Sequence, residues 1–250
     1  MTYVTFSPGA FLGGNTTCDR KQHGLVLLNQ PITNMELFKQ AWTFCERRIC
    51  ADGGANRLFD ALKTDEERLR FLPDVIVGDF DSLRDNVRQW YEDHGVLVKH
   101  DTSQDTTDFM KAVTLGNELY QVHGLLVLGA LGGRLDHTFH SIFHLFLSLK
   151  HHQTVYLLND ACVSFLLHPN VPNIVKTPQN LLGKAVGIIP VAGPTRITTK
   201  GLQWDVEDWE TSFYTQISTS NYLVADQVTI ESPDPVLFTI EFKFNELHGG

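Results

Sequence analysis

Two carboxylates separated by one residue close the run Val75-Ile76-Val77-Gly78-Asp79-Phe80-Asp81-Ser82. Three β-branched residues ahead of a glycine read as a buried strand, and the acid pair then falls at the strand's carboxyl end, where open α/β sheets hold their ligands. Alternate residues of an extended chain point the same way, so the run predicts Asp79 and Asp81 facing one guest with Phe80 turned into the protein. Two carboxylates on one side repel unless a cation lies between them, and Mg²⁺ carrying a polyphosphate is the common answer. The competing reading is a strand-to-helix turn in which Asp81 or Ser82 caps the helix that follows.

Three further clusters fall at the carboxyl ends of predicted strands. In Asp52-Gly53-Gly54-Ala55-Asn56, paired glycines let backbone N–H groups approach a phosphate, and a helix N-terminus behind them favours anions. The same pair also serves as a plain turn. In Ser103-Gln104-Asp105-Thr106-Thr107-Asp108-Phe109, Asp105 and Asp108 are three apart at a predicted helix start and share a face. Carboxylates in a first turn also stabilise the helix dipole, and Thr102 with Asp105 resembles a capping box. In Gly132-Gly133-Arg134-Leu135-Asp136-His137, Arg134 could clamp a phosphate with both arms of its guanidinium, or simply pair with Asp136. The next helix carries Leu135, Phe139, Ile142, Phe143, Phe146 and Leu147 on one face and His137, His140, His144 and His151 on the other. Histidines three and four apart invite a metal; the expectation here is a polar stripe facing solvent or another subunit.

The elements that must position these residues alternate. Strands are predicted at 24–29, 48–51, 75–78, 96–99, 125–128, 155–158 and 163–167, with helical periodicity between the first six. That pattern indicates βαβ units and a parallel sheet. Beyond Pro169 prolines punctuate short alternating runs, read as strands at 185–190, 195–199, 214–219, 227–231 and 236–242, which imply an antiparallel β unit. The predicted organisation is a loose arm over 1–23, a Rossmann-like parallel sheet with flanking helices over 24–168, and an all-β, sandwich-like domain over 169–245. In a parallel sheet all four clusters open on the same edge.

Composition narrows the function classes. The chain has 250 residues, 42% hydrophobic and 20% charged, with a net charge of −9. An acidic chain lacks the basic face that nucleic acid requires, although a metal ion can still bring in an anionic substrate. Cys18, Cys45, Cys50 and Cys162 form no Cys-x-x-Cys pair, which suits reduced thiols in a cytosolic protein. The first residues lack the features of a signal peptide, and no run approaches the roughly 20 apolar residues of a membrane span.

The ordered motifs Asp52-Gly53-Gly54-Ala55-Asn56, Gly78-Asp79-Phe80-Asp81-Ser82, Gln104-Asp105 with Thr107-Asp108, and Gly132-Gly133-Arg134 with Asp136-His137 resemble those of thiamin pyrophosphokinases. Gly201-Leu202-Gln203-Trp204 and Ser218-Thr219-Ser220-Asn221 resemble that family's C-terminal signature. The resemblance spans about residues 24–242 and is strongest to the eukaryotic, animal-type enzymes. It implies transfer of a pyrophosphoryl group from ATP to the hydroxyethyl oxygen of thiamin, giving thiamin diphosphate and AMP, with Mg²⁺ as cofactor. It also implies a homodimer whose sites are shared between subunits. By the same resemblance, Asp79, Asp81 and Asp108 match the metal–polyphosphate carboxylates. Gln104 and Asp105 line the junction of thiamin and phosphate, and Trp204, Ser218 and Asn221 match thiamin-side positions. Asp52, Gly53, Gly54, Asn56, Arg134 and Asp136 are the expected ATP-phosphate residues, and Asp105 or Asp108 the expected proton acceptor. Gln203 stands where the family pattern has a basic residue, and the segment from Asp205 to Phe213 is unusually acidic and aromatic. The alternatives are another Mg²⁺-dependent phosphotransferase or phosphatase, and a non-catalytic thiamin or nucleotide sensor.

Overall fold

The computed structural model describes residues 2–13, 23–103, 105–120, 122, 124–151 and 153–243. The chain divides into two compact units, Thr17–Asp160 and Met1–Thr16 with Ala161–Gly250. The first strand, β1 (Val4–Phe6), belongs to the second of these.

The unit Thr17–Asp160 is built on six strands: β2 (His23–Leu27), β3 (Arg47–Ala51), β4 (Val75–Gly78), β5 (Leu97–His100), β6 (Gly124–Leu128) and β7 (Thr154–Leu158). They pair in the order β7-β6-β2-β3-β4-β5, and every pairing is parallel. Leu25, Val26, Ile49, Cys50, Val75, Ile76, Leu125 and Val127 are all buried. A parallel sheet covered on both faces needs such unbroken apolar runs. β5, at the edge, is the exception: its residues are largely exposed, and Lys99 and His100 stand there in place of core residues, as suits an edge strand.

Six helices lie between the strands: α1 (Met35–Phe44), α2 (Gly54–Ala61), α3 (Asp65–Arg70), α4 (Asp85–Asp93), α5 (Asp108–Tyr120) and α6 (Leu135–Lys150). Asn34 caps α1 by accepting the Leu37 N–H (3.0 Å). The short α3, which the periodicity does not reveal, is fixed by a capping box between Thr64 and Glu67; it buries no side chain, so no apolar pattern marks it. From β2 the chain winds outward through β3, β4 and β5, then returns to the far side of β2 with β6. The crevice at the carboxyl ends of β2 and β6 is therefore the sheet's topological switch point.

The orientation of α6 is the reverse of the expected one. Ser141, His144, Leu145 and Ser148 are its buried residues, while Leu135 is 70%, Phe139 61% and Phe143 49% exposed. The His144 ring packs on Phe109 of α5 (4.3 Å between centroids), and His140 Nε2 lies 2.8 Å from the Thr107 hydroxyl.

The other unit holds β8 (Cys162–Leu166), β9 (Asn173–Lys176), β10 (Leu182–Ile189), β11 (Thr195–Lys200), β12 (Trp209–Thr211), β13 (Ser218–Tyr222), β14 (Gln227–Glu231) and β15 (Leu237–Phe242). Within it β13-β10-β15-β8 pair antiparallel, and a second layer runs β1-β9-β14-β11-β12. Phe6 of β1 stacks on Phe165 of β8 (4.9 Å), which in turn meets Phe238 of β15 (5.4 Å), so aromatic rings fill the space between the layers.

Three sequence expectations change here. Residues 2–13 are not a loose arm: β1 pairs parallel with β9, and Phe6, Phe11 and Leu12 are buried. The division falls at Asp160/Ala161 rather than near 168, because β8 pairs with β15. The strand expected at 214–219 begins only at Ser218. Ahead of it the Ser212 hydroxyl accepts the N–H groups of Tyr214 and Thr215 in a turn, leaving Tyr214 91% exposed. Among the described residues no helix is long and apolar enough to cross a membrane. Cys45 and Cys50 are buried free thiols, and Cys18 lies outside the described residues.

Candidate active site

Three carboxylates converge beyond the carboxyl ends of β3, β4 and β5. Asp52 follows β3, Asp79 follows β4, and Asp108 opens α5, and one oxygen from each lies within 4.8 Å of the others. Asp52 is buried and held in the left-handed region at φ +43°, its N–H donating to the Val77 carbonyl (2.8 Å). Its Oδ2 accepts the Ser82 N–H (3.1 Å), and its Oδ1 has no hydrogen-bond partner. Gly78 makes the convergence possible: a Cβ there would lie 2.6 Å from the Asp52 Cβ and 3.3 Å from Asp108 Oδ1. A buried non-glycine residue at positive φ is a strained conformation, and such positions gather at functional sites.

A fourth charged side chain completes the group. The Lys111 ammonium is buried and lies 3.3 Å from Asp79 Oδ2 and 3.5 Å from Asp108 Oδ1. Asp108 and Lys111, three apart on α5, necessarily share a face.

The electrostatics follow from this crowding. Burial, then the charge of Asp108, pushes the Asp52 carboxyl up to about 6. Burial and the Asp79 charge also raise Asp108, against the pull of Lys111. Burial acts upward on Asp79 too, but the Asp81 N–H and Lys111 outweigh it, and Asp79 sits below the usual carboxylate range. Desolvation disfavours the Lys111 ammonium, yet its two carboxylate partners outweigh that and hold it above the ordinary lysine value.

This donor set suits a hard divalent cation. Mg²⁺ takes oxygen ligands, often one or two carboxylates together with substrate phosphates. The unpartnered Asp52 Oδ1 is a buried acceptor that such an ion would satisfy.

The sequence-predicted residues are distributed as follows. Asp79 and Asp108 meet, and Asp52, expected among the phosphate residues, joins them. Asp81 is outside the converging group. Phe80 adopts φ +64°, so the extended alternation that would aim Asp79 and Asp81 alike is broken. The ring of Phe80 stacks on His100 (5.0 Å). Asp81 is exposed and accepts from the Ser82 hydroxyl (2.8 Å), although its charge still raises Asp108. Asp105 is exposed and precedes α5, whose first turn is capped by Thr107 through the Met110 N–H (3.4 Å) in place of the Thr102–Asp105 box. Gln104 lies outside the described residues.

The glycine turns do structural work as well. A Cβ on Gly54 would lie 2.2 Å from the Leu27 carbonyl oxygen, so Gly53-Gly54 lets α2 start against the end of β2. Asn56 donates to the Ser82 carbonyl (2.7 Å) and accepts the Arg84 N–H (3.2 Å), tying the loop after Asp79 to α2. Arg134 pairs with Asp136 through Nε (3.1 Å) and Nη2 (2.6 Å), both side chains being exposed. At the switch point a cleft of about 230 Å³ is lined by Leu28, Gln30, Asn34, Leu131, Asn159 and Asp160 among others, and the Thr33 hydroxyl donates to Asp160 at its wall.

In the other unit, Trp204 is 54% exposed and tilts against Tyr222 (5.5 Å). Asn221 is buried and grips the Trp204 backbone from both sides, accepting its N–H (3.2 Å) and donating to its carbonyl (2.9 Å). Asp205 accepts the N–H groups of Gly201 (2.9 Å) and Leu202 (3.0 Å) and the Thr199 hydroxyl (3.0 Å). The first acidic residue of the 205–213 segment thus pins the Gly201–Trp204 loop, and Asp208 is paired with Arg196. Ser218 begins β13, partly exposed.

Sequence reasoning missed Lys111 altogether. The available signal was a lysine three residues after Asp108 on the buried side of a helix whose neighbours Phe109, Ala112 and Val113 are apolar.

Comparison with known proteins gives a consistent result. Residues 38–157 match the family model "Thiamin pyrophosphokinase, catalytic domain", and residues 172–237 match "Thiamin pyrophosphokinase, vitamin B1 binding domain". Thiamine pyrophosphokinase 1 of Arabidopsis thaliana is 35% identical over 97% of this chain and 95% of its own. Thiamine pyrophosphokinase of Saccharomyces cerevisiae is 32% identical over 89% of this chain and 86% of its own. Among solved structures, thiamin pyrophosphokinase from Candida albicans superposes with a TM-score of 0.83 at 26% identity, covering 96% of this chain and 94% of that one.

Proposed function

Because this chain belongs to the thiamin pyrophosphokinase family, we propose that Asp52, Asp79 and Asp108 receive the metal-bound polyphosphate of ATP. The chain is a diphosphotransferase: it moves a pyrophosphoryl group from ATP to the hydroxyl of thiamin, giving thiamin diphosphate and AMP. The observation that carries the site reading is the convergence of three carboxylate oxygens within 4.8 Å at the carboxyl edge of a parallel sheet. No finding supports the phosphatase or sensor alternatives.

The residues have distinct tasks in this reading. Asp52, Asp79 and Asp108 would hold Mg²⁺, with Asp81 adding negative charge on the solvent side. A divalent ion held there would supply charge neutralisation for the phosphate oxygens. Arg134, released from Asp136, is suited to a bidentate grip on phosphate. The N–H groups at the start of α2, beside Gly53 and Gly54, favour negative charge, with Asn56 fixing that turn. The cleft at the switch point suits the nucleoside of ATP, since it lies beside β2 and β6 where such sheets bind nucleotides. Asp108 or Asp105 accepts the proton from the thiamin hydroxyl, with Gln104 beside Asp105. Trp204, with its indole exposed, offers a stacking surface to the flat cationic rings of thiamin, held in place by Asn221 with Ser218 nearby on β13.

The working form in this reading is a homodimer in the cytosol. The apolar stripe Leu135–Phe139–Phe143 supports it, because three adjacent exposed apolar side chains on one helix call for a covering surface. Incubation with ATP, Mg²⁺ and thiamin is expected to yield AMP in step with thiamin diphosphate. ADP as the nucleotide product would overturn the assignment.

A further inference from the structure

Among the described residues Lys111 is the one lysine or arginine that is buried. Removing an ammonium from water is costly, and replacing a buried ion pair with apolar side chains is often neutral or stabilising. Packing of α5 alone therefore gives no reason for a lysine there. Its neighbours do: the ammonium bridges Asp79 and Asp108, two of the three converging carboxylates. Both Asp79 oxygens already accept a hydrogen bond, Oδ1 from the Asp81 N–H (3.3 Å) and Oδ2 from Lys111. Any cation bound by Asp79 must share an oxygen with one of these donors.

We infer that Lys111 is a positioning residue that holds Asp79 and Asp108 together in the nucleotide-free protein and weakens the site for a bare divalent ion. The inference rests on reading the three carboxylates as a metal site. A fixed positive charge beside the ligands repels a second cation, whereas the polyphosphate of ATP supplies the negative charge that offsets it. The ion is therefore held firmly in company with its nucleotide and loosely without it. Without Lys111 the three carboxylates repel one another, and the site instead accepts the ion alone.

The test is calorimetric titration of Mg²⁺ into nucleotide-free protein at pH 8, comparing the parent with Lys111→Met, whose side chain has similar length and no charge. The variant is expected to bind bare Mg²⁺ at least about tenfold more tightly. A packing role would lower stability without tightening metal binding. A folded Lys111→Met protein with unchanged or weaker affinity overturns the inference. Should the variant not fold, ¹⁵N-lysine-labelled parent protein serves: the Lys111 ammonium resonance should shift on Mg²⁺ addition, and an unmoved signal at saturating Mg²⁺ overturns the inference. If neither protein binds Mg²⁺, with or without a non-hydrolysable ATP analogue, the metal-site reading itself falls.

Discussion

Asp79, Asp108 and Lys111 divide opposite charges over a few ångströms, and Asp52 completes the set with one unpartnered oxygen. Replacing Asp79 with Asn removes a full negative charge while keeping the side chain's shape. We expect turnover to fall at least about 100-fold, as when a group stabilising transition-state charge is lost. An unaltered circular dichroism spectrum would show that the fold is kept; retained turnover at saturating Mg²⁺ would refute the role. On the thiamin side, Trp204→Ala is expected to raise the KM for thiamin several-fold more than that for ATP, because the indole, tilted against Tyr222, leaves about half its surface exposed. Equal effects on both constants would mark Trp204 as a structural residue. At this scale the sequence was legible in residue types: three of the acids it singled out, Asp52, Asp79 and Asp108, converge at the carboxyl edge. Directions were not legible, because Phe80 at φ +64° breaks the extended alternation from which the facing of Asp79 and Asp81 was read. A single backbone torsion is invisible to a pattern of alternation.

Among the elements, the strands of the parallel sheet were readable because burial on both faces demands continuous β-branched and aliphatic runs. Helix α6 was half readable. Periodicity tells which residues share a face but not which face turns inward, and here the histidine side packs against α5 while the phenylalanines face out. His144 is consequently buried with both ring nitrogens unpartnered, and burial holds its pKa down to about 4. Between about pH 6.5, the unfolded value, and pH 4 the unfolded chain binds more protons at this residue, so stability falls as pH falls. The loss is at most roughly 3 kcal/mol and is complete below the folded pKa. Asp52, with its raised carboxyl, contributes in the opposite sense over part of that range. Comparison of Tm between the parent and His144→Leu from pH 7 to 4 isolates the histidine: the variant's advantage should grow as pH drops. A constant difference would mean that His144 protonates freely in the fold. The outward phenylalanines make a separate prediction. Phe139→Ser with Phe143→Ser should shift sedimentation toward the monomer while leaving the monomer's Tm within about 1 kcal/mol equivalent of the parent, since exposed sites contribute little to folding. An unchanged sedimentation coefficient would clear α6 of any part in self-association.

For the molecule as a whole, the largest departure from the expected organisation is that residues 2–13 belong with Ala161 onward. A three-residue strand is too short to announce itself, and its partner β9 is remote in sequence, so no local pattern links them. Phe6, 2% exposed and stacked on Phe165, is the residue that fastens it. Phe6→Ala is expected to lower unfolding stability by about 3–5 kcal/mol, the usual cost of emptying a buried phenylalanine site. Urea denaturation measures it, and a loss below about 1 kcal/mol would mean that β1 is dispensable.

The parallel pairing of β1 with β9 has a further consequence in time. Residues 17–160 are inserted between two parts of one unit, so on the ribosome that inserted unit is complete while β9 is still unmade. Domains fold as units during synthesis, and contacts distant in sequence form late. β1 must therefore stay unpaired until β9 has been made, and Phe6 without its stacking partner until β8 has. The chain's nascent form is thus a folded insert between two parts of a unit not yet joined.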